Sequence, residues 1–443
     1  MHWIIFDKKI EMKFKFFVSI LIFVLYNCKD DDSPIIIDEP PLVLTENIEV
    51  YNPDLISNDY ILAVENSSTT SYLLNKKGNK IYTWDFSDTS GNDLELLNDG
   101  SIIGLFKDNN PSIDFGGFGG TAKIIDKNGI TIWEYTVSDN NSIAHHDVEI
   151  LPNGNVLMIV WERVQNQIAV ENGVDFENDI FVEKIIEINR SSNTIVWEWN
   201  SWNHIIQDKF ESLPNYGDIN ENPNKININY SVDNPPGGNF FINGDIMHAN
   251  GLDYDENNDL IYLSVNYFDE VWVIDHSTTL DESNSSSGGN YDKGGDLIYR
   301  FGNPNTYNSL GDKIFDKQHF PNLLEDGVVG EGNILIYGNG LADQQSTIYE
   351  LEMPTNFDLL SNSNNEPNIV WSFTDENLYA NKLCGAIRLS NGNTLITESD
   401  YGFWEVTMDK EVVWKYKKDE QTNFFWRSYH YEPTSDAISN LGF

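Results

Sequence analysis

The chain has 443 residues, 40% hydrophobic and 13% aromatic, enough to bury a large globular core. Its formal net charge of -43, from 70 acidic against 27 basic side chains, argues against a nucleic-acid or anionic-membrane surface, because both partners are polyanions. A site for an anionic substrate on such a chain needs its own local positive or proton-donating groups.

The N-terminus reads as an export segment. Met12, Lys13 and Lys15 form a short basic start, and Phe16 to Leu25 form an apolar run shorter than a membrane-spanning helix needs. Leu25-Tyr26-Asn27-Cys28 resembles a bacterial lipobox, in which the cysteine is lipidated and becomes the mature N-terminus. The following Lys29-Asp30-Asp31-Asp32 resembles the acidic surface-export signal of Bacteroidetes lipoproteins. The expectation is an outer-membrane lipoprotein, facing periplasm or cell surface, held by Cys28 alone. Met12 is read as the start, with residues 1–11 an upstream extension and His2 absent from the mature chain. Residues 1–28 are the signal peptide with its lipobox, 29–54 an acidic, proline-rich tether, and 55–443 one domain; the tether is too short for an additional N-terminal β-domain. Cys384 is then an unpaired thiol.

Beyond the tether, short apolar runs alternate with Asn/Gly/Asp turns, and one stretch, Trp202 to Phe210, has helical spacing. Aligning the aromatics exposes a repeat: IYTWDF at Trp84, ITIWEY at Trp133, TIVWEW at Trp197, LIYRF at Tyr299, NIVWSF at Trp371 and EVVWKY at Trp414. Between copies the chain supplies strands in fixed order, for example IMHANGLDY, LIYLSV, EVWVID and DLIYRF. Four strands per unit in six units predict an all-β, six-bladed β-propeller. The first unit has only three strands, and the C-terminal SYHYEP around His430 is placed to supply its missing innermost strand, which closes the ring and removes its free edges.

The strand that opens each unit lines the central channel. The channel positions are Asn92, His146, His248, His319, Cys384 and either Arg427 or His430. One such histidine is usually a hydrogen-bonded structural group, but three or four converging from separate blades point to a site. His145 should face away from His146 by strand alternation, His276 sits in a turn, and His204 lies in an insertion. Asp253, Asp255, Glu256 and Asp259 lie towards a loop that either binds calcium through its oxygens or is a solvated turn.

At these residues the sequence resembles the bacterial arylsulfate sulfotransferase family, through HHDVEILPNGNVL, HANGLDYDENNDLIYLSVNYFDEVWVID, the QH of KQHFPNLL with GNILIYGNG, and EWNSWNHIIQD. Asn203 in the last segment stands where an aspartate is common in the family. The resemblance implies a six-bladed propeller that moves a sulfuryl group from an aryl sulfate to a phenol, without nucleotide, metal or other cofactor. It places His319 on the nucleophilic histidine and His146 and His248 on two supporting histidines. It sets Asn266 where the family carries an arginine, with Asn250 and Arg388 as further substrate-binding positions. Arg388 or Arg427 is the candidate to compensate for the missing charge.

A neutral imidazole can attack sulfur and expel phenolate, leaving a sulfohistidine, while neighbouring histidines stabilise the sulfuryl oxygens and move the phenolic proton. Two other readings stay open. One is a non-catalytic propeller lipoprotein that binds a phenolic or sulfated ligand. The other is a hydrolase or lyase whose metal is held by His146, His248 and His319.

Overall fold

A computed structural model describes residues 43–443; the signal peptide, Cys28 and most of the tether lie outside the described residues. Six antiparallel sheets follow one another along Leu44–Phe443 as the blades of the expected propeller. Their innermost strands are Phe425–Tyr431, Ser90–Leu96, Ser142–Ile150, Ala249–Asp255, Gln318–Leu323 and Gly385–Arg388, for blades one to six. The C-terminal Phe425–Tyr431 pairs with Tyr60–Glu65, so the chain closes its first blade with its last strand, as expected.

A second closure was not expected. Ile48–Tyr51, inside the segment read as tether, pairs antiparallel with Val412–Lys417 and becomes a fifth, outermost strand of blade six. The repeat read from the sequence marks the fourth strand of every blade, and in all but the first blade, where the buried Trp84 indole N–H has no partner among the described residues, it stitches neighbours together. The indole N–H donates to the next blade from Trp133 to Asn193 (2.8 Å), from Trp197 to Thr278 (3.0 Å), from Trp371 to the Met408 carbonyl (2.9 Å) and from Trp414 to the Lys76 carbonyl (2.8 Å). The Tyr299 hydroxyl does the same to the Asn365 carbonyl. A long side chain with an apolar body and a donor at its tip fills the gap between sheets and still reaches a partner.

A second inter-blade device uses charge. Glu187, Glu350 and Glu405 lie on third strands, and each accepts from asparagines of its own blade's first hairpin: Asn153 and Asn155, Asn333, and Asn391 and Asn393. Each then pairs with a cationic or titratable group of the following blade: His276, Arg388 and Lys76. Lone buried carboxylates would be costly, and these are satisfied from both sides.

The helix expected over Trp202 to Phe210 is corrected. Ser201–His204 forms a single 3-10 turn capped by the Asn200 side chain, and Ile205–Ile206 then pairs in parallel with Ile226–Asn227. His204 is pinned between Asp296 (2.7 Å) and the Ser283 carbonyl (2.9 Å), which overrides the local spacing. The Asp253-to-Asp259 segment is a protein-satisfied turn: Asp255 accepts from the N–H groups of Asn257 and Asn258, and Asp259 accepts from Tyr254 and pairs with His276.

Candidate functional site

The innermost strands do not run straight past the axis. His146 and His248 hold φ of 55° and 56°, conformations that cost a non-glycine residue on the order of 1–3 kcal/mol. The register shifts between Met158 and Ile159, opposite the His145–Val148 stretch, between Ala249 and Gly251 after His248, and between His319 and Asn322. Bulges of this kind re-aim side chains. Here they bring His146, His248 and His319 together at one end of the channel. The rings of His146 and His248 lie 4.9 Å apart, and Trp426 stands between His146 (5.6 Å) and His319 (6.1 Å). Gly117 makes room for His146, since a Cβ there would sit 2.1 Å from the imidazole.

The bulge also corrects the reading of His145. Strand alternation fails at φ 55°, so consecutive imidazoles meet, Nδ1 to Nδ1, at 2.8 Å instead of facing apart. His145 lies flat on Trp161 (3.6 Å, 6°) and its Nε2 reaches Glu183 at 3.0 Å. Trp426 is the blade-one residue beside the imidazoles. Arg427, one residue further, is drawn to Asp147 (2.8 Å), and His430 binds Asp59 (2.9 Å).

All three channel imidazoles are held through Nδ1. His146 meets His145, His248 meets Asp245 (2.5 Å) under the stacked ring of Tyr267, and His319 meets Asn339 (2.7 Å). The last contact fixes a tautomer. Asn339 Nδ2 donates to the carbonyls of Ala380 (2.9 Å) and Leu383 (3.3 Å), so its Oδ1 faces the ring and His319 Nδ1 carries the proton. The lone pair is then on Nε2, where the Leu383 N–H donates weakly at 3.2 Å. Burial lowers the His319 pKa to about 3, against the Asn339 bond and reinforced by His248, Arg427 and Lys317. Burial likewise holds His145 and His146 well below the ordinary histidine value. These rings are neutral at physiological pH.

The expected substrate-binding positions divide. Asn250 and Asn266 both donate to the carbonyl of Gln318, at 2.7 and 3.2 Å, and so hold the residue before His319. Arg388 is committed to Glu350 and to Thr394 (2.9 Å) in the gap between blades, and its recorded contacts include none of the three imidazoles. Two cations act on the nucleophile candidate: Arg427, which Asp147 holds, and Lys317. Lys317 Nζ donates to the Asn266 carbonyl (3.0 Å), pairs with Asp269 (3.2 Å) and lies 5.6 Å from the Tyr267 ring centre. Cys384 is a free, buried thiol that donates to the Lys382 carbonyl (3.4 Å) and accepts from the Ser399 N–H (3.3 Å); burial raises its pKa to about 12. Among the described residues no three His, Cys, Asp or Glu groups are arranged as a metal-ligand set.

Further along the same inner strands a cavity of about 250 Å³ is lined by Glu95, Asp147, Glu149, Asp253, Arg427 and Tyr429, among others. Burial and neighbouring carboxylates raise Glu95 to about 7, and burial raises Asp253 to about 7. Arg427 and Asp147 separate this acidic end from the imidazoles.

Anchored imidazoles, those of His146 and His319 neutral, converge at one end of the channel of a six-bladed β-propeller. The family model for Arylsulfotransferase (ASST) matches residues 42–433, and the chain belongs to that family. It is 27% identical over 197 residues to the non-toxic nonhemagglutinin type E of Clostridium botulinum, a match covering 41% of this chain but only 16% of that protein. Among solved structures it is similar to a protein of unknown function from Bacteroides caccae (11% identity, 84% of this chain and 99% of that one, TM-score 0.46). It is also similar to a putative 6-phosphogluconolactonase from Bacteroides fragilis (11% identity, 86% and 100%, TM-score 0.39).

Sequence reasoning missed Asn339, Asp245, Glu183, His145, Lys317 and Trp426. Asn339 sits in the GNG at the end of the ILIYG strand and Asp245 three residues before His248, so both had a local signal. Glu183 had none, because it reaches His145 only across the intervening strand Val156–Val164 of the same blade.

Proposed function

We propose that this protein transfers a sulfuryl group from an aryl sulfate to a phenol through a sulfohistidine on His319, without a nucleotide. The observation that carries this reading is the neutral, tautomer-fixed His319, with its Nε2 lone pair held only by the long Leu383 contact. In the first half-reaction Nε2 displaces the Leu383 N–H and attacks sulfur. An N–S bond forms, the S–O bond to the ring breaks, and its electron pair leaves on the aryl oxygen. In the second half an acceptor phenol attacks the same sulfur, gives up its proton and returns the imidazole. His248 carries a carboxylate, Asp245, at Nδ1 that offsets positive charge on the ring when Nε2 donates to a sulfuryl oxygen. Lys317 supplies the fixed cation that Asn266 does not, on a chain whose acidic surface offers few others.

The export pattern at residues 12–32 supports a lipid anchor on Cys28 and a place at the outer membrane. Brief reaction with 4-nitrophenyl sulfate followed by peptide mass spectrometry tests the mechanism. A sulfate is expected on His319, and its loss together with turnover in His319→Ala. Undiminished turnover in His319→Ala would overturn the assignment.

A further inference from the structure

The transfer needs a proton to arrive at one moment and leave at another. An ordinary phenolate, with a conjugate acid near pKa 10, leaves slowly unless it is protonated, and the incoming phenol must be deprotonated. One group facing the substrate must therefore be an acid in the first half-reaction and a base in the second. The structure holds three side chains in series that can exchange those roles. His146 Nδ1 lies 2.8 Å from His145 Nδ1, and His145 Nε2 lies 3.0 Å from Glu183 Oε2. The other carboxyl oxygen, Glu183 Oε1, accepts the Ala249 N–H at 2.8 Å. Glu183 and His145 are fully buried, and Trp161 covers the His145 ring face to face.

We propose that Glu183, His145 and His146 form a two-state proton wire that serves both half-reactions. It rests on the sulfuryl-transfer reading. In the loaded state Glu183 is a carboxylic acid whose Oε2–H donates to His145 Nε2. His145 Nδ1–H then donates to His146 Nδ1, and His146 presents Nε2–H to the channel. As the aryl oxide departs, it takes that Nε2 proton. His146 Nδ1 receives the proton of His145 Nδ1, and His145 Nε2 receives that of Glu183. The discharged state has a carboxylate at one end and a bare His146 Nε2 at the other. The acceptor phenol reverses every shift, so protons balance over the cycle and neither histidine is ever doubly protonated. Both states satisfy the same contacts, because Oε1 accepts the Ala249 N–H in each.

Three observations support the loaded resting form. The φ of 55° at His146 is paid where alternation would have separated the two rings, and it is what brings their nitrogens into contact. Among the described residues no Lys or Arg contacts Glu183, whose neighbours are His145, the Trp161 indole, the Ala249 N–H and the Ser201 hydroxyl at its backbone, with Asp245, His248, Asp147, His319 and Arg427 as the titratable and charged groups around the relay. Burial and Asp245 raise Glu183 well above the usual carboxyl value, while burial keeps both histidines neutral. Glu183 and His145 are thus positioning residues acting through His146.

The test is a leaving-group series in Glu183→Gln, a change that keeps shape and hydrogen bonding but cannot release a proton to His145. Sulfation of His319 should slow by about a hundredfold or more with phenyl sulfate, on the scale of a lost acid catalyst, and progressively less as the leaving phenol becomes more acidic towards 4-nitrophenyl sulfate. A loss uniform across the series, or no loss, overturns the wire. Should the variant not melt cooperatively, wild-type enzyme in mixtures of light and heavy water decides: a curved proton inventory with phenyl sulfate supports several protons in flight, and a straight line overturns it. Failure of the wild type to sulfate His319 at all would instead remove the underlying transfer reading.

Discussion

Asn339 Oδ1 accepts the Nδ1 proton of His319 at 2.7 Å, and the same amide's Nδ2 is held by the carbonyls of Ala380 and Leu383. An amide at this position orients the ring without adding charge, whereas the carboxylate behind His248 does add it. With its pKa near 3, His319 should remain neutral and Nδ1-protonated from pH 8 to 5. Imidazole nitrogen NMR shifts report both facts, and titration of His319 within that range would contradict the assignment. Asn339→Ala should lower kcat by about ten- to a hundredfold through loss of ring orientation, while stability falls by about 1–3 kcal/mol.

Lys317 should act on the donor. Its ammonium has three N–H donors and two partners, the Asn266 carbonyl and Asp269, so a sulfuryl oxygen can take the remaining proton. Replacing it by methionine removes a charge-assisted hydrogen bond of about 1.5–3 kcal/mol, so the KM for aryl sulfate should rise by roughly ten- to a hundredfold. Lys317→Arg should keep most of the affinity. Equal donor KM values in all three proteins would show that the charge is not used.

How much of this was legible in the sequence depends on the range of the interaction. The outer-strand aromatics repeat, so Trp84, Trp133, Trp197, Tyr299, Trp371 and Trp414 announced six blades, and the short first unit announced closure at the C-terminus. The three channel histidines followed from equivalent strand positions. His145 was misread because a period-two rule holds only where the pleat is regular, and the bulge at His146 breaks it. Arg388 was misassigned a possible reach to the axis because its partner Glu350 lies on another blade, 38 residues earlier, where no local pattern links them. Ile48–Tyr51 was taken for tether because four residues behind a proline-rich stretch carry too little periodicity to declare a strand.

The inter-blade clasp at His276 should make stability depend on pH in a defined sense. Burial alone would lower its pKa, but hydrogen bonds and charge from Glu187 and Asp259 raise it above the ordinary value. A histidine whose folded pKa is raised stabilises the fold fully below its unfolded pKa of about 6.5, and that contribution is lost as pH rises through the folded value. The stability difference between wild type and His276→Gln should therefore be larger at pH 5.5 than at pH 9, by about 1–3 kcal/mol for a buried charged hydrogen bond. Denaturant melts at the two pH values measure it, and a difference independent of pH would leave the clasp without a charged histidine.

The two closures should differ in weight. Phe425–Tyr431 is the inner strand of blade one, and its Phe425, Trp426, Arg427 and Ser428 are all buried. Ile48–Tyr51 lies on the outside of blade six, with no fully buried residue among its four. Truncation after Lys418 leaves the inner edge of Tyr60–Glu65 unpaired and removes Trp426 from between His146 and His319. Buried aromatics cost about 3–5 kcal/mol each when removed, so losing Phe425 and Trp426 alone consumes most of a domain stability of about 5–15 kcal/mol. The truncated protein should lose its cooperative melt and its activity together. Deletion of residues 43–51 should lower the melting temperature yet leave a cooperative transition and a functional channel, because the part-exposed strand it removes pairs with the outer strand Val412–Lys417 and adds a contact from the Thr45 N–H to the Lys77 carbonyl of blade one, all far from the innermost strands. An unchanged melt in the C-terminal truncation, measured beside the N-terminal one, would mean that the ring does not close through Phe425–Tyr431.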